Sequence, residues 1–341
     1  MTRKKNYSYK PRTYLKNTDS NKENNKEEKN YYLYGIDRND YFHKFDINNK
    51  KYEKIKISQI NLDDKSSSFK KDYQYEGTIL YNTLEGVYIL TGEKTDTLYY
   101  YNSKENIISK ICKFNSGHNN GNILYDNKNN NIFVFGGKKV RSCEYFNIND
   151  KKIYNMPDLI TDRANASFII SNEKIFGFFG FSYEKNHYSN NIEYIDYNTK
   201  DKWIEIKDIN LLQNDITFDI ESTATMYYKN KEDEIMIYSG IMGDDEDFIT
   251  EYYLIYNIKN NTMSKIKNWD MKQFKLIGKK WKDYKFRNID PQGFHFAKNT
   301  NFLYLNNLGD YSDLNILIDY KNNVHFVEQN KEKIEIYRGN I

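Results

Sequence analysis

Six times along this chain a bulky apolar residue is followed at once by Asp or Asn, then a short polar turn, then another apolar residue. The pairs are Phe45-Asp46, Tyr101-Asn102, Phe146-Asn147, Ile195-Asp196, Tyr256-Asn257 and Ile318-Asp319. They recur every 45 to 62 residues. A hairpin signal at a period near fifty residues predicts a repeat architecture, in which no unit can bury its own apolar surface and neighbouring units must cover it. Asp and Asn suit the turn because their side-chain oxygen accepts a hydrogen bond from the backbone two residues on.

Each repeat also carries a short apolar run ending in a small or turn-forming residue. The runs are Tyr31 to Gly35, Val87 to Gly92, Ile132 to Gly137, Ile175 to Gly180, Ile235 to Gly240 and Phe302 to Asn307. Runs this short and continuous read as strands buried on both faces. A second apolar stretch and a polar turn precede most of them: Thr78 to Tyr81, Asn122 to Tyr125, Ala166 to Ile170 and Ala224 to Tyr228. Turn residues between two such runs predict hairpins. The Asx pair then ends a third strand, and a fourth begins about seven residues later, at Tyr52, Ile108, Ile153, Trp203, Met263 and Val324. Four strands in a local meander form one unit with two apolar faces, and stacking such units around an axis buries both.

This pattern resembles the Kelch repeat, whose signature is a double glycine ending the second strand, an aromatic on the third and a Trp on the fourth. Gly136-Gly137, Phe146 and Ile153 follow it in one unit, and Gly180, Ile195 and Trp203 in the next. Asp162-Arg163-Ala164-Asn165-Ala166-Ser167-Phe168 looks like a Kelch first-strand start. The resemblance covers roughly residues 31 to 339 and implies an all-β, six-bladed Kelch-type β-propeller with four-stranded antiparallel blades over residues 31–341. No Trp-Asp dipeptide lies where a WD40 propeller would need it; Trp269-Asp270 falls in a linker-like position. The first unit lacks an innermost strand, because residues 1–30 are a polar, charged tail expected to be disordered. Ile334-Glu335-Ile336-Tyr337 is therefore expected to pair with Tyr31 to Tyr34 and close the ring, as the C-terminal strand does in many Kelch propellers.

Composition narrows the function. The 51 Lys and Arg nearly balance the 48 Asp and Glu, so no strong field for DNA or a membrane surface exists. Two cysteines, Cys112 and Cys143, are too few for a disulfide scaffold and point to a reducing compartment. Residues 1–10 have no apolar core of a signal peptide, and no stretch of eighteen apolar residues would span a bilayer as a helix. A cytoplasmic or nuclear location is expected. The excess of Lys, Asn, Ile and Tyr over Arg, Pro and Ala looks like codon bias from an A+T-rich genome.

The five histidines show no metal-ligand spacing and neither Cys belongs to a C-x-x-C motif, so no cofactor or metal is expected. His118 and His295 lie at first-strand starts of different repeats. Arg is scarce beside Lys, which makes Arg163 at a first-strand start and Arg141 between strands two and three candidates for a carboxylate or phosphate contact. An ordinary intra-unit ion pair is the favoured alternative for each. Two loops exceed hairpin requirements. Phe181 to Asn191 carries Tyr183 and His187, and Ile241 to Thr250 carries the acidic run that includes Asp244 and Asp245; long loops on a rigid scaffold usually carry binding. The segment 269–288, with Trp281 among its lysines, interleaves basic and aromatic residues as nucleic-acid or acidic-partner sites do; aromatics packed on the scaffold beneath solvated lysines are the favoured alternative.

These features together favour a non-enzymatic protein-binding scaffold or adaptor, acting as a monomeric propeller or as one subunit of a complex, with its partner on the loop face. Kelch-like propellers also include enzymes that act on sugars, and a ribonucleoprotein-associated factor using 269–288 is the third class.

Overall fold

The computed structural model of the 341-residue chain describes residues 32–36, 41–46, 51–73, 78–83, 86–189, 191–213, 223–227, 233–239, 253–266, 302–305, 314–319, 323–330 and 333–340. Within them the protein is all-β. Helix is confined to a 3-10 turn at Ile57–Gln59 and an α turn at Phe69–Asp72. No helix among the described residues is long and apolar enough to cross a membrane.

The strands form six larger sheets in chain order. The first has three strands, Tyr32–Ile36, Tyr41–Asp46 and Lys51–Lys56. The second is built on Ile79–Asn82, Gly86–Thr91, Thr97–Asn102 and Ile107–Lys113. Asn122–Asp126, Asn131–Gly137, Val140–Asn147 and Lys152–Met156 make the third. The fourth holds Ser167–Ser171, Lys174–Phe178, Ile192–Asp196 and Ile204–Ile206. The fifth is built on Thr223–Tyr227, Glu234–Ser239, Tyr253–Asn257 and Thr262–Ile266, and the sixth on Phe302–Leu305, Leu314–Asp319, Asn323–Asn330 and Lys333–Asn340. Every one of these neighbouring strands pairs antiparallel.

All six expected Asx residues terminate a strand: Asp46, Asn102, Asn147, Asp196, Asn257 and Asp319. The turn chemistry is as expected where the turns are described. The Asn147 Oδ1 accepts from the N–H groups of Asn149 (2.9 Å) and Asp150 (3.1 Å). Asn102 does the same for Lys104 and Glu105, and Asp196 for Asn198 and Thr199. In the four turns that are described, the fourth residue after the Asx is left-handed and re-enters the ladder. Asn106, Lys151, Lys200 and Asn261 hold these positions, with φ between 50° and 59°. Asn tolerates that region; Lys does so against the steric preference of its Cβ.

Alternation within the central strands explains how the sheets stack. Val87 and Ile89 pack toward the first sheet, with Tyr34 and Phe42. Their neighbours Tyr88 and Leu90 pack toward the third, in the group that contains Ile123 and Phe133. Phe168, Ile175 and Ile195 in turn join that group, whereas Ile169, Phe176 and Phe178 pack with Ile235, Ile237, Leu254 and Tyr256 of the fifth sheet. The period of two places successive residues on opposite faces, so a continuous apolar run must be covered on both. At the seam between third and fourth sheets Phe135 stacks on Phe168 (ring centroids 4.3 Å apart), and Trp203 meets both rings edge-on at 6.0 Å. The Trp203 Nε1 donates to the Pro157 carbonyl (3.0 Å), so the indole is buried without an orphaned donor. The first strands of successive sheets lie side by side: Tyr32–Ile36 against Ile79–Asn82, that against Asn122–Asp126, then Ser167–Ser171, Thr223–Tyr227 and Phe302–Leu305. This face-to-face succession of antiparallel sheets is consistent with a β-propeller-like fold.

Two features depart from expectation. Lys333–Asn340 does not pair with the first sheet; it is hydrogen-bonded along its length to Asn323–Asn330, from Asn330↔Lys333 to Asn323↔Asn340. Only two residues separate these strands, so the local hairpin costs far less chain entropy than pairing with a strand some three hundred residues away. The first sheet accordingly has three described strands. Secondly, the second and fifth sheets each gain a short parallel strand at the outer edge, Asn61–Leu62 beside Ile107–Lys113 and Asn210–Leu211 beside Thr262–Ile266. Both sit in the same tripeptide, Ile60-Asn61-Leu62 and Ile209-Asn210-Leu211. The backbone N–H of Asn61 donates to the Asn106 carbonyl and that of Asn210 to the Asn261 carbonyl. A chain segment arriving from one sheet thereby ties itself to the next.

The turn geometry makes two opposite predictions. Asn147→Ala, which leaves two turn N–H groups without their acceptor, lowers unfolding stability by about 1 kcal/mol. Lys151→Gly, which relieves a left-handed lysine, raises it by about 0.5 kcal/mol. Urea denaturation with unchanged slope measures both.

Candidate functional site

The end of the third and fourth sheets where second strands run into third strands concentrates the polar side chains. Its scaffold is a backbone device repeated twice. Phe135-Gly136-Gly137 and Phe178-Phe179-Gly180 end their second strands with the same conformations: φ is 52° at Gly136 and 50° at Phe179, then 139° at Gly137 and 94° at Gly180. A Cβ at Gly137 would lie 2.7 Å from the Asn119 carbonyl oxygen, and one at Gly180 2.6 Å from that of Ala164. Glycine is required there both for φ and for the close approach of the chain leading into the first strand. Phe179 holds the left-handed position that glycine fills in the third sheet.

Each device is held by a buried base and a buried acid. In the fourth sheet Arg163, fully buried, donates from Nη1 to the Phe179 carbonyl (3.1 Å) and from Nη2 to the Asn191 Oδ1 (2.6 Å). Its Nη2 also lies 2.5 Å from Oε1 of the equally buried Glu193. The other Glu193 oxygen accepts from the Ile160 N–H (2.9 Å). Burial works against both charges: it lowers the Arg163 guanidinium from its ordinary value and raises the Glu193 carboxyl, so each charge depends on the other. In the third sheet His118 and Glu144 occupy the corresponding places. The His118 Nδ1 lies 2.9 Å from the Gly136 carbonyl oxygen, and its Nε2 3.5 Å from the Glu144 Oε1. Glu144 also accepts from the N–H groups of Asn115 (2.9 Å) and Ser116 (2.7 Å). In the second sheet the place of the acid is taken by Tyr99, whose hydroxyl donates to the Asp72 Oδ2 (2.6 Å). Leu254 stands there in the fifth.

Outside this buried layer an exposed cluster joins the two sheets. The chain between Lys174–Phe178 and Ile192–Asp196 folds into a ribbon of two short strands, Phe181–Ser182 and His187–Tyr188. Asp162, fully buried, anchors it by accepting from the Ser182 hydroxyl (2.5 Å) and the N–H groups of Tyr183 (2.9 Å) and Glu184 (3.2 Å). The backbones of Ala164 and Phe181 exchange two further hydrogen bonds of 2.9 Å. From the third sheet, Arg141 forms a forked ion pair with Glu184 and Lys138 sits over the Tyr183 ring at 5.1 Å. His187 is exposed and turns its Nδ1 toward the Tyr188 carbonyl (2.7 Å).

Four of the sequence candidates thus meet at one end of the molecule, but in different roles. Arg141, Tyr183 and His187 belong to the surface cluster. Arg141 is the second residue of the strand Val140–Asn147 rather than a loop residue. Arg163 lies beneath them with no exposed surface, so the intra-unit ion pair accounts for it and a partner cannot touch it in this conformation. Asp244, Asp245 and Trp281 fall outside the described residues, as do the whole of 241–250 and 269–288. Sequence reading missed Glu144, Glu193 and Asp162. A signal for the two glutamates was present: Glu144-Tyr145-Phe146-Asn147 and Glu193-Tyr194-Ile195-Asp196 place an acid two residues before the inward-facing apolar residue, hence on the same buried face.

Neither cysteine is a ready nucleophile. Burial pushes the Cys112 thiol up to about 12 and raises that of Cys143 well above its ordinary value. No group of three or more His, Cys, Asp or Glu that could hold a metal occurs among the described residues.

Removing one member of the buried pair and one of the surface pair should have unequal effects. Arg163→Met leaves Glu193 charged and unpaired in the interior and should cost about 3–5 kcal/mol by urea unfolding. Arg141→Ala, at an exposed ion pair, should cost less than about 1 kcal/mol. Neither a family model nor a curated protein matches this chain.

Proposed function

We propose that this chain is a Kelch-type β-propeller of six blades that serves as a protein-binding scaffold or adaptor, presenting the cluster of Arg141, Lys138, Tyr183, Glu184 and His187 to its partner. The observation that carries this reading is the anchoring of the Phe181–Tyr188 ribbon. A buried carboxylate, Asp162, fixes three consecutive residues of the loop, and a backbone bridge to Ala164 fixes its base. A loop held in place before binding loses little conformational freedom on binding, which favours recognition over a mobile role. The cluster it forms with the third sheet mixes an arginine, Arg141, with the ribbon's aromatic ring and histidine, Tyr183 and His187, residue types suited to polar protein surfaces. Fold alone does not choose between scaffold and enzyme; the anchored, exposed ionic cluster favours the scaffold. The basic-aromatic stretch 269–288 and the acidic run 241–250 remain further candidate contact segments on the same reading.

The test compares tagged wild-type protein with an Arg141→Ala, Tyr183→Ala, His187→Ala variant shown to be folded by circular dichroism. After purification from the native cell and mass spectrometry, at least one protein recovered with the wild type should fall tenfold or more with the variant. Identical recoveries from both would overturn this choice of face.

A further inference from the structure

The second and fifth sheets show what covers the outer edge of a sheet in this protein, and the third leaves the same edge bare. In both covered sheets the added strand is the tripeptide Ile-Asn-Leu, laid parallel to the fourth strand. Asn61 lies beside Ile107 and Leu62 beside Ile108; Asn210 lies beside Thr262 and Leu211 beside Met263. Two backbone carbonyls receive it. The first belongs to the left-handed turn residue: Asn106 accepts from the Asn61 N–H (3.1 Å) and Asn261 from that of Asn210 (3.0 Å). The second lies two residues on: Ile108 accepts from the Asp63 N–H (3.1 Å) and Met263 from that of Leu212 (2.9 Å). The added side chains alternate. Ile60 and Leu62 pack on the core beneath the edge, as do Ile209 and Leu211, while Asn61 and Asn210 are exposed.

The third sheet repeats the receiving half of this arrangement. Ile153 pairs with Phe146 as Ile108 pairs with Tyr101 and Met263 with Tyr256. Lys151 holds the left-handed place of Asn106 and Asn261, with φ 59°. The shared register aims the Lys151 carbonyl, and the N–H and carbonyl of Ile153, away from the sheet. No described strand meets them there, since Lys152–Met156 is the last strand of its sheet. Burial records the difference. Ile108 and Met263 are each 0% exposed beneath their added strands, whereas Ile153 stays partly exposed at the rim of the apolar seam. The fourth sheet is not a further case: its turn is one residue longer, and Trp203, in the corresponding place, is buried with its Nε1 bonded to the Pro157 carbonyl.

We propose that the outer edge of Lys152–Met156 takes an extended segment of a partner protein, of pattern aliphatic-Asn-aliphatic, added as a parallel strand in the register of Ile-Asn-Leu. The neighbouring chain does not supply it. The segments that do so in the other two sheets span 57–78 and 207–222, but the one reaching the third sheet spans only 114–121 and is committed at the loop end. Its Phe114 N–H bonds to the Asp96 carbonyl, and the N–H groups of Asn115 and Ser116 bond to Glu144. A second copy of this chain does not supply it either. Ile-Asn-Leu occurs twice in the sequence, and both occurrences are engaged in their own sheets. This edge lies apart from the ribbon cluster, and the proposal does not rest on that cluster.

The probe is a synthetic peptide of residues 58–64, Ser-Gln-Ile-Asn-Leu-Asp-Asp, capped at both ends and added to the full-length chain. Hydrogen exchange at the Ile153 amide, read by NMR, should be fast in the free protein and slow about fivefold or more at saturating peptide, because that N–H gains the carbonyl of the incoming Asn. The same peptide methylated on the backbone nitrogens of its Asn and first Asp lacks both donors and should leave exchange unchanged. No slowing with the unmodified peptide, or equal slowing with both, overturns the proposal. So does an amide that is already slow in the free protein, because the chain itself or a second copy then covers the edge. Fluorescence anisotropy of the labelled peptide gives an independent reading. Binding should weaken about tenfold or more in Ile153→Lys, because a lysine on an edge strand opposes strand addition; equal binding to wild type and to a variant shown to be folded by circular dichroism would sink the idea. If that variant does not fold, the exchange measurement decides.

Discussion

A strand that is apolar on both faces has no side to offer water, and this constraint organises the protein. The second strands of the second, third and fourth sheets are of this kind. Each must be covered twice, and only another sheet of the same sort can do it. Val87 and Ile89 look one way, Tyr88 and Leu90 the other. The Phe135–Phe168–Trp203 seam shows what the covering requires: two stacked rings, a third edge-on, and an indole N–H that still finds a carbonyl. At about 25 cal/mol per Å² of apolar surface removed from water, such rings supply much of the favourable free energy. They also account for serial stacking, since no sheet is stable with a face left bare.

Serial stacking creates a second problem, which polar residues solve. At the loop end of each seam the chain must leave one sheet and enter the next while its backbone groups are being buried. An acid two residues before the Asx pair, Glu144 or Glu193, accepts the N–H groups of the incoming segment. A buried base, His118 or Arg163, then binds the carbonyl freed by the left-handed kink at Gly136 or Phe179. Buried ion pairs contribute little net stability against an apolar replacement, yet breaking one is costly. That asymmetry suits a joint whose task is to fix one arrangement of loops. On the outer side, Asp162 performs the same service for the Phe181–Tyr188 ribbon, and what faces solvent there is a preset cluster.

Much of this was legible before any coordinates. The Asx pairs mark strand ends in all six sheets, the third strand in the second to fifth sheets and the second described strand in the first and sixth, since the same side-chain oxygen that favours Asp or Asn also forms the turn. The short apolar runs mark buried second strands in the second, third and fourth sheets, whereas those at Tyr31 and Phe302 fall on the first described strand of their sheets. The parallel edge strands at Ile60-Asn61-Leu62 and Ile209-Asn210-Leu211 were not seen, because two residues are too few to show a period and their partner strand lies some fifty residues away. Ile334 to Tyr337 pairs with its neighbour along the chain rather than with Tyr31 to Tyr34, because the local hairpin costs less chain entropy than ring closure. Arg163 stands out in the sequence by its rarity, but nothing in its neighbours along the chain announces its partner Glu193, thirty residues later.

The amino-acid sequence by itself determined the strands, their turns and their two-sided burial, because these follow from local hydrogen bonding and from a period of two. Only the tertiary structure decided which charges are buried, which loops are anchored, and that His118 and Arg163 occupy equivalent joints. Those are properties of residues brought together from separate strands, and pairing across a sheet seam depends on the packing of both sheets rather than on any local pattern.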